Sequence, residues 1–375
     1  MTASFGSFPA PVNTLKEVFC AMQNKRTPPR PRPPKQLPPA LIAAIDILLI
    51  GLCLIVFALF DHVIPKPGQK AAYTAPSRAA APTAAPVEPE GTPVPPDGSA
   101  PAPTDEPIQE ATGDFSRKFV DKFTAGQVIQ TDTSYQSANL NVTLTRHETT
   151  VNNRNEVYFV EDIYVRDIEC LRTVFAKDTF GKGIREDMVA MSQRVNAIAA
   201  INSDYYGAGN AGIVIRNGEL YRRDFEVDEP VLIIFRDGSM KVYQGESDLD
   251  IDRAMAEGAW QSFSFGPSLL DENGQVYAEG YEGVNPRNHE PRTLIGMIEP
   301  GHYVFVVIDG RRNSYSAGMT FTECANLCRD LGCTVAYNLD GGQTSQMTFL
   351  GALTNDPYKN GRATSDLICV VEADG

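Results

Sequence analysis

The chain has 375 residues, of which 42% are hydrophobic and 21% are charged, and its formal net charge is −14. Residues 1–40 carry six basic side chains and one acidic side chain, so the rest of the chain carries a net charge of −19. This acidic composition argues against a nucleic-acid ligand outside the short basic arm, because binding a phosphate backbone requires a cluster of basic side chains. The spacing of the four histidines also argues against a histidine-based zinc site.

The first predicted element is a membrane-spanning helix. Residues 40–60 are apolar except for Asp46, and a helix of about 20 such residues spans the hydrocarbon core of a bilayer. A buried core helix would normally have a polar stripe, and a cleaved signal peptide would have a shorter apolar segment and a shorter basic leader. Because the basic flank lies only on the N-terminal side, the positive-inside rule places residues 1–39 in the cytoplasm. The sequence predicts a single-pass protein of the cell membrane with its main domain outside the cytoplasm.

Composition divides the chain into four segments. Residues 1–39 form a basic, Pro-rich tail that we predict to be disordered, with a polyproline ligand as the alternative. Residues 40–64 contain the transmembrane helix. Residues 65–112 are rich in Pro, Ala, Thr, Glu and Gly and lack the apolar mass that folding requires, so we predict a disordered stalk. Residues 113–375 have the length of one domain.

Strand-like runs dominate the region after the stalk, and Asn-Gly or Asp-Gly pairs at 217–218, 237–238 and 273–274 indicate hairpin turns. Two helices are predicted, at 185–194 and 320–331, with Thr320 or Thr322 as the cap of the second. This pattern predicts an α+β or mixed α/β fold, with a single mixed sheet and few helices. The predicted strands are 142–146, 157–165, 197–201, 212–215, 231–235, 293–298, 303–308, 334–338 and 367–371.

Five of the seven cysteines lie in the predicted exported domain, and no Cys-x-x-Cys pair occurs. The odd number leaves at least one free thiol or a disulfide to another chain. We interpret these residues as small buried apolar side chains rather than as a disulfide framework. They are Cys170, Cys324, Cys328, Cys333 and Cys369.

Polar clusters at the ends of apolar strands are the candidates for chemistry, since no G-x-S-x-G elbow, P-loop or H-E-x-x-H motif is present. Each cluster alone is more often a turn than a site. Together, three aspartates and two arginines can hold a phosphate and transfer a proton. The clusters are Asn202-Ser203-Asp204, Glu290-Pro291-Arg292, Asp309-Gly310-Arg311, Asp340-Gly341-Gly342 and the segment from Asn360 to Asp366, which contains Arg362.

The order of these motifs resembles the phosphodiester glycosidase family. The matching segments are Ala-Ile-Asn-Ser-Asp-Tyr-Tyr, Pro-Arg-Thr-Leu-Ile-Gly, Ile-Asp-Gly-Arg, Asn-Leu-Asp-Gly-Gly-Gln-Thr-Ser-Gln-Met and Arg-Ala-Thr-Ser-Asp, within about residues 190–372. This is the family of the lysosomal uncovering enzyme, and it has bacterial members labelled as exopolysaccharide biosynthesis proteins. The chain departs from the family at Ser203, where glycine is usual, and at Gln343, where the family usually has a third glycine.

The resemblance implies hydrolysis of the bond between a sugar anomeric carbon and a phosphate. In that reading Arg292 and Arg362 bind the phosphate, assisted by the N–H groups of Gly341 and Gly342. Asp204 and Asp340 are the base and the acid, or the nucleophile, in an order that stays open. Three further residues would either bind sugar hydroxyls or orient the catalytic and phosphate-binding groups. They are Asn202, Asp309 and Ser345.

Two alternatives from other classes stay open at this point. The same fold could serve as a glycan-binding or exopolysaccharide assembly protein without turnover, or the Pro-rich arm could make the chain a signalling anchor. The expected partners are a phosphate-linked glycan and the membrane, with no nucleic acid. No cofactor is predicted, although the carboxylates of Asp204, Asp309 and Asp340 are the type of oxygen ligand that Ca²⁺ or Mg²⁺ takes.

Overall fold

The computed structural model describes residues 48–52, 69–70, 113–224, 230–245, 248–271, 273–276 and 287–373. Contacts divide the chain into two units, Met1–Ile64 and Pro65–Gly375. In the first unit residues 48–52 are helical, and within the described part of the chain no helix is long and apolar enough to cross a membrane. The predicted tail 1–39, transmembrane segment 40–64 and stalk 65–112 lie almost wholly outside the described residues and stay predictions.

Strands make up most of the regular structure in the second unit. The first ten, in chain order, are β1 (Gln69–Lys70), β2 (Ile129–Gln130), β3 (Ser134–Gln136), β4 (Leu140–Val151), β5 (Arg154–Val165), β6 (Leu171–Phe175), β7 (Thr179–Phe180), β8 (Ala199–Asn202), β9 (Val214–Arg216) and β10 (Glu219–Arg222). The remaining strands are β11 (Val231–Phe235), β12 (Met240–Tyr243), β13 (Ala259–Ser264), β14 (Arg292–Glu299), β15 (His302–Ile308), β16 (Val335–Asn338), β17 (Met347–Phe349), β18 (Ala352–Leu353) and β19 (Asp366–Val370).

Few helices interrupt these strands, as the sequence predicts. They are α1 (Met188–Arg194), α2 (Ile251–Ala256) and α3 (Phe321–Asp330). Helix α3 begins with a capping box, because Thr320 Oγ1 accepts from Glu323 N and the Glu323 carboxylate accepts from Thr320 N. Helix α1 begins three residues after the predicted start, because Asp187 caps it by accepting from Ala190 N at 3.0 Å.

The strands form separate sheets rather than the single mixed sheet that the sequence predicts. A seven-stranded sheet has the order β16-β14-β15-β5-β4-β3-β2, and a five-stranded sheet has the order β18-β17-β8-β19-β6. A three-stranded sheet has the order β12-β11-β13. Every strand pair in these three sheets is antiparallel. Short hairpins account for pairs such as β4–β5 and β14–β15, since a parallel pair would need a longer crossover. Pairs such as β5–β15 and β8–β19 join strands that are far apart in the sequence.

The core lies between the two large sheets and under one helix on each outer face. Strand alternation on β14 sends Ile295 into the cluster between the sheets and Leu294 into the cluster beneath α3. Helix α1 covers the outer face of the five-stranded sheet through Met188 and Met191. All five cysteines of this region are buried and free, as predicted.

A buried carboxylate at the middle of β5 gives a stability prediction. Glu161 is fully buried on the strand face it shares with Phe159 and Ile163, and within the described structure neither of its carboxylate oxygens has a hydrogen-bond partner. Burial raises its pKa well above the usual range. Its stabilising contribution is therefore present below the unfolded-state pKa and is lost as the pH rises through the folded-state pKa.

We expect Glu161→Met to raise the free energy of unfolding by about 1–3 kcal/mol at pH 8 and by less at pH 5. The reason is that the thioether fills similar space and carries no charge to desolvate. Urea unfolding at the two pH values measures the difference. Glu148→Met, at an exposed position on β4, is the matched control and should change little at either pH. A gain in the free energy of unfolding that is equal at both pH values would contradict the conclusion that the cost comes from charging the buried Glu161.

Candidate functional site

Loops at the ends of β8, β14, β15 and β16 meet at one edge of the sheet pair. The Asp340 N–H donates to Ser203 O at 3.3 Å, and the Gly342 N–H donates to Pro291 O at 2.9 Å. A Cβ on Gly310, which follows Asp309, would lie 2.7 Å from Pro291 N, so the third cluster lies against the second. The structure therefore brings the backbones of the first four predicted clusters to one place, although they are up to 138 residues apart.

Asn202 joins the two large sheets at this edge. Its side-chain oxygen accepts from Thr293 Oγ1 at 2.8 Å and from Gln346 N at 3.1 Å. Its amide nitrogen donates to Asp340 O at 2.7 Å and to Ser203 O at 3.3 Å. These four bonds use the whole hydrogen-bonding capacity of a buried amide, so no capacity remains for a sugar hydroxyl. Of the two predicted roles of Asn202, this arrangement favours the orienting of neighbouring groups over a contact with a sugar hydroxyl.

Asp204 lies in a buried ion pair with Arg216. Its Oδ1 accepts from Arg216 Nη2 at 2.8 Å, and its Oδ2 accepts from Ser264 N at 2.9 Å. The same guanidinium donates through Nε to Asp366 Oδ2 at 2.9 Å. Arg216 is 1% exposed, so one buried cation bridges two buried carboxylates. Burial, with the charge of Asp204 nearby, raises the pKa of Asp366 to about 7 even though Arg216 opposes the shift.

Asn355 connects Asp309 and Ser345, because its side-chain amide donates hydrogen bonds to both residues. The Asp309 carboxylate accepts from Asn355 Nδ2 at 2.8 Å, Tyr315 OH at 2.9 Å and Asp356 N at 3.0 Å. Asn355 Nδ2 also donates to Ser345 O at 3.1 Å. Asp309 is buried, which raises its pKa against the effect of these donors. The Ser345 hydroxyl is buried and has no partner within the described residues, so it is the group of this pair that could still make a bond.

Asp340 is the predicted carboxylate that pairs with a partly exposed side chain. The residue is 6% exposed, and its Oδ2 accepts from Arg362 Nη2 at 2.8 Å. The Thr344 hydroxyl and the Gly341 N–H also donate to this carboxylate. Burial raises its pKa, although Arg362 and these donors act in the opposite direction. The result is a carboxyl group with a raised pKa beside a guanidinium that solvent can reach.

Arg362 links Asp340 to solvent. Its side chain is 38% exposed, and its Nε donates to Thr344 Oγ1. Its guanidinium carbon also lies 4.8 Å from the centre of the Tyr205 ring. Because the side chain already bonds to Asp340 and still has exposed N–H groups, it can bind an anion next to that carboxylate.

The two glycines after Asp340 do not offer free amide groups. The Gly341 N–H donates to the Asp340 carboxylate, and the Gly342 N–H donates to Pro291 O. The predicted contact of these N–H groups with a phosphate stays a prediction, and it would require both groups to exchange their present acceptors. Glycine at these positions allows close packing of the loops, because a Cβ on Gly341 would lie only 2.8 Å from Pro291 O. On Gly342, which has φ +70°, a Cβ would lie 3.3 Å from the Arg311 guanidinium.

Arg292 is a buried arginine whose described contacts include no carboxylate within ion-pair distance. It is 6% exposed, donates through Nε to Met319 O and through Nη2 to Asn288 O, and lies 3.8 Å from the centre of the Phe321 ring. Burial lowers its pKa. A buried cation held only by carbonyl groups and a ring is costly unless an anion completes its surroundings. These contacts keep Arg292 a candidate for anion binding, and its role stays a prediction.

Three residues of the site were not assigned from the sequence. Arg216 follows the apolar run of β9, and an arginine there indicates a buried carboxylate partner. Arg311 lies in the predicted Asp-Gly-Arg motif, and it pairs with Glu290 through Nε. Tyr205 follows Asp204 and has φ +59°, which is uncommon for a residue other than glycine.

The described residues contain no group of three or more histidine, cysteine or acidic side chains that could hold a metal ion. The three aspartates face separate partners, with Asp204 on Arg216, Asp340 on Arg362 and Asp309 on Asn355. Joint binding of Ca²⁺ or Mg²⁺ by these three carboxylates therefore has no geometric support in this arrangement.

Fold and site together define a β-rich domain with a carboxylate–guanidinium centre at the ends of its strands. Residues 195–371 match the family model described as phosphodiester glycosidase, which confirms the resemblance predicted from the motifs. The matched region contains Asp204, Arg216, Arg292, Asp340 and Arg362.

Other known proteins are similar over part of the chain. An SPbeta prophage-derived protein of Bacillus subtilis (strain 168), YomE, is 31% identical over 183 residues, which are 47% of this chain and 28% of that protein. The solved catalytic domain of zebrafish N-acetylglucosamine-1-phosphodiester alpha-N-acetylglucosaminidase, auto-inhibited by its pro-peptide, is 20% identical and has a TM-score of 0.51. That similarity covers 70% of this chain and 96% of the zebrafish domain and shows a shared fold. A hypothetical protein from Synechocystis is 14% identical over 66% of this chain and 64% of its own, with a TM-score of 0.48.

Proposed function

We propose that the domain hydrolyses a sugar-1-phosphodiester, of the N-acetylglucosamine-1-phosphate type, in cell-surface glycan or exopolysaccharide metabolism. The observation that carries this proposal is the Asp340–Arg362 pair, in which a carboxyl group of raised pKa contacts a partly exposed guanidinium at 2.8 Å. The family match and the name of the zebrafish relative support the same substrate class.

The reaction adds water to the anomeric carbon and breaks its bond to the phosphate oxygen, which gives a free sugar and a phosphomonoester. Positive charge develops on the sugar ring while negative charge stays on the departing phosphate. Arg362 and Arg292 are the groups that we propose to neutralise this phosphate, since arginine binds phosphate oxygens through a planar fork. Asp340 is the group that we propose to assist at the anomeric carbon, as acid or as nucleophile.

Asp204 has a different role in this proposal. Its two oxygens already accept bonds from Arg216 and Ser264, and it is 3% exposed. We propose that it is a positioning residue, which fixes the loop that carries Tyr205 beside Arg362. Ser345, whose buried hydroxyl has no partner among the residues that the structure describes, is the better candidate to contact substrate or Asp340.

The test is to incubate the full chain with a N-acetylglucosamine 1-phosphodiester and to measure free reducing sugar, with and without a chelator. Release of sugar supports the proposal. Binding of the diester without release would instead support the glycan-binding alternative, and absence of both would overturn the assignment of the substrate class.

The location of the protein is a separate proposal that depends on residues 40–64. Their apolar composition and the basic flank before them support a single-pass anchor with the domain outside the cytoplasm. Sedimentation of the full chain with membranes, compared with a chain that lacks residues 1–64, measures this directly. A full chain that stays in the supernatant would overturn it.

Arg292→Lys tests the phosphate contact. Lysine keeps the positive charge but loses the fork, so we expect kcat/KM for the diester to fall roughly tenfold, with most of the loss in KM. Arg166→Lys, at an exposed position after β5, should leave both constants unchanged. An unchanged KM in a stably folded Arg292→Lys variant would remove Arg292 from phosphate binding.

A further inference from the structure

A second positive side chain lies beyond the proposed reaction site. Tyr205 contacts two guanidinium groups: the Arg362 carbon at 4.8 Å from its ring centre and the Arg185 carbon at 5.0 Å. Arg362 in turn donates to Asp340. These contacts form a continuous series from Asp340 through Arg362 and Tyr205 to Arg185, and we call this series the cationic strip.

Arg185 is exposed, and its described contacts include no carboxylate within ion-pair distance. The two acidic residues that follow it have other partners. Glu186 accepts from Arg194 Nη2 at 2.9 Å, and Asp187 caps helix α1 by accepting from Ala190 N. The charge of Arg185 is therefore available to a ligand, in a part of the chain whose net charge is −19.

Tyr205 holds this arrangement in place. Its backbone is in the left-handed region at φ +59°, a conformation that costs a non-glycine residue free energy. Its neighbours on both sides are buried and bonded, through Asp204 to Arg216 and through the Tyr206 ring to Phe175 and Phe180. The ring is thus presented as a fixed platform, on which a guanidinium is partly desolvated and its attraction for an anion is strengthened.

We propose that Arg185, supported by Tyr205, binds a second anionic group on the substrate, so that the enzyme prefers a polyanionic, phosphate-linked glycan to a diester with a neutral aglycone. This inference deepens the proposed function and rests on it for the position of the first phosphate. Both guanidinium carbons lie near one ring, so they are at most about 10 Å apart. That separation suits a second charge one or two residues further along a repeating chain.

The experiment compares two probes on the full chain. One is the methyl diester of N-acetylglucosamine 1-phosphate, and the other has the methyl group replaced by a propyl group that ends in a second phosphate. We measure the dissociation constant of each probe by calorimetry and the rate of sugar release from each. The variants are Arg185→Gln and, as a matched control at an exposed position outside the strip, Arg117→Gln.

The expected result is that the wild-type chain binds the second probe roughly three- to tenfold more tightly than the first, and that this preference declines at higher salt. Arg185→Gln should remove the preference and leave the affinity for the methyl diester unchanged, whereas Arg117→Gln should change neither. Equal affinities in the wild-type chain, or a preference that survives Arg185→Gln, would overturn the inference. Sugar release tests the proposed function separately from this inference. A preference for the second probe in binding, without sugar release from either probe, would support anion binding by the cationic strip and reject hydrolysis.

Discussion

Replacing Asp340 by asparagine is expected to lower kcat for a sugar-1-phosphodiester by about 10²- to 10⁴-fold, the usual contribution of a positioned acid or base. Asparagine has nearly the same shape, and its oxygen can still accept from Arg362 and Thr344, which both contact Asp340 in the structure. It can neither donate a proton nor act as a nucleophile. The fold and the binding of phosphate should therefore persist while turnover is lost.

The measurement is the rate of reducing-sugar release at saturating substrate, together with the affinity for the diester and the urea unfolding midpoint. Asp132→Asn, on the exposed turn between β2 and β3 at the far edge of the seven-stranded sheet, is the matched control. If the Asp340→Asn variant is stably folded and retains more than about a tenth of the wild-type kcat, Asp340 is neither the acid nor the nucleophile of the reaction.

The local structure could be predicted because it depends on neighbouring residues. Strand β11 has the predicted bounds, and the apolar runs of β14, β15 and β16 needed changes of one residue at most at each end. Thr320 and Glu323 identify the start of α3, since a capping box is satisfied within four residues. The number of sheets could not be predicted in this way, because pairs such as β14 with β16 or β8 with β19 depend on long-range packing that no local pattern contains.

The positions of the site were predictable, but the roles of its residues were not. Strand-end polar clusters indicated where Asn202, Asp204 and Asp340 would meet. What each side chain does depends on partners far along the sequence, such as Arg216 for Asp204 and Thr293 for Asn202. The direction of the Gly342 N–H, towards Pro291 rather than towards a ligand, likewise follows from the packing of two loops. Motif order therefore indicates a site more reliably than it assigns hydrogen bonds.

The largest expected effect on stability comes from Arg216, which lies at the centre of the buried network. Arg216→Met removes the cation that contacts Asp204 at 2.8 Å and Asp366 at 2.9 Å, and leaves two buried carboxylates facing each other. Breaking a buried pair from one side typically costs about 3–5 kcal/mol, because the remaining charge has no compensation. Arg223→Met, which breaks the exposed pair with Asp252, is the matched control and should change the free energy of unfolding little, because solvent screens this pair.

The pH dependence of this loss distinguishes charge from packing. In the wild-type chain burial already raises the pKa of Asp366 to about 7, with Arg216 and the Ser203 side chain acting in the opposite direction. Removing Arg216 removes the larger of these two opposing effects, so the pKa of Asp366 should rise further. A raised folded-state pKa gives stability below the unfolded-state pKa that is lost as the pH rises, so the loss in Arg216→Met should be larger at pH 8 than at pH 5. Adding Asp366→Asn should recover part of the loss at pH 8, since it removes one of the two uncompensated charges. A loss equal at both pH values, and unaffected by Asp366→Asn, would mean that Arg216 stabilises the loop by packing, and that the position of Tyr205 does not depend on the ion pair.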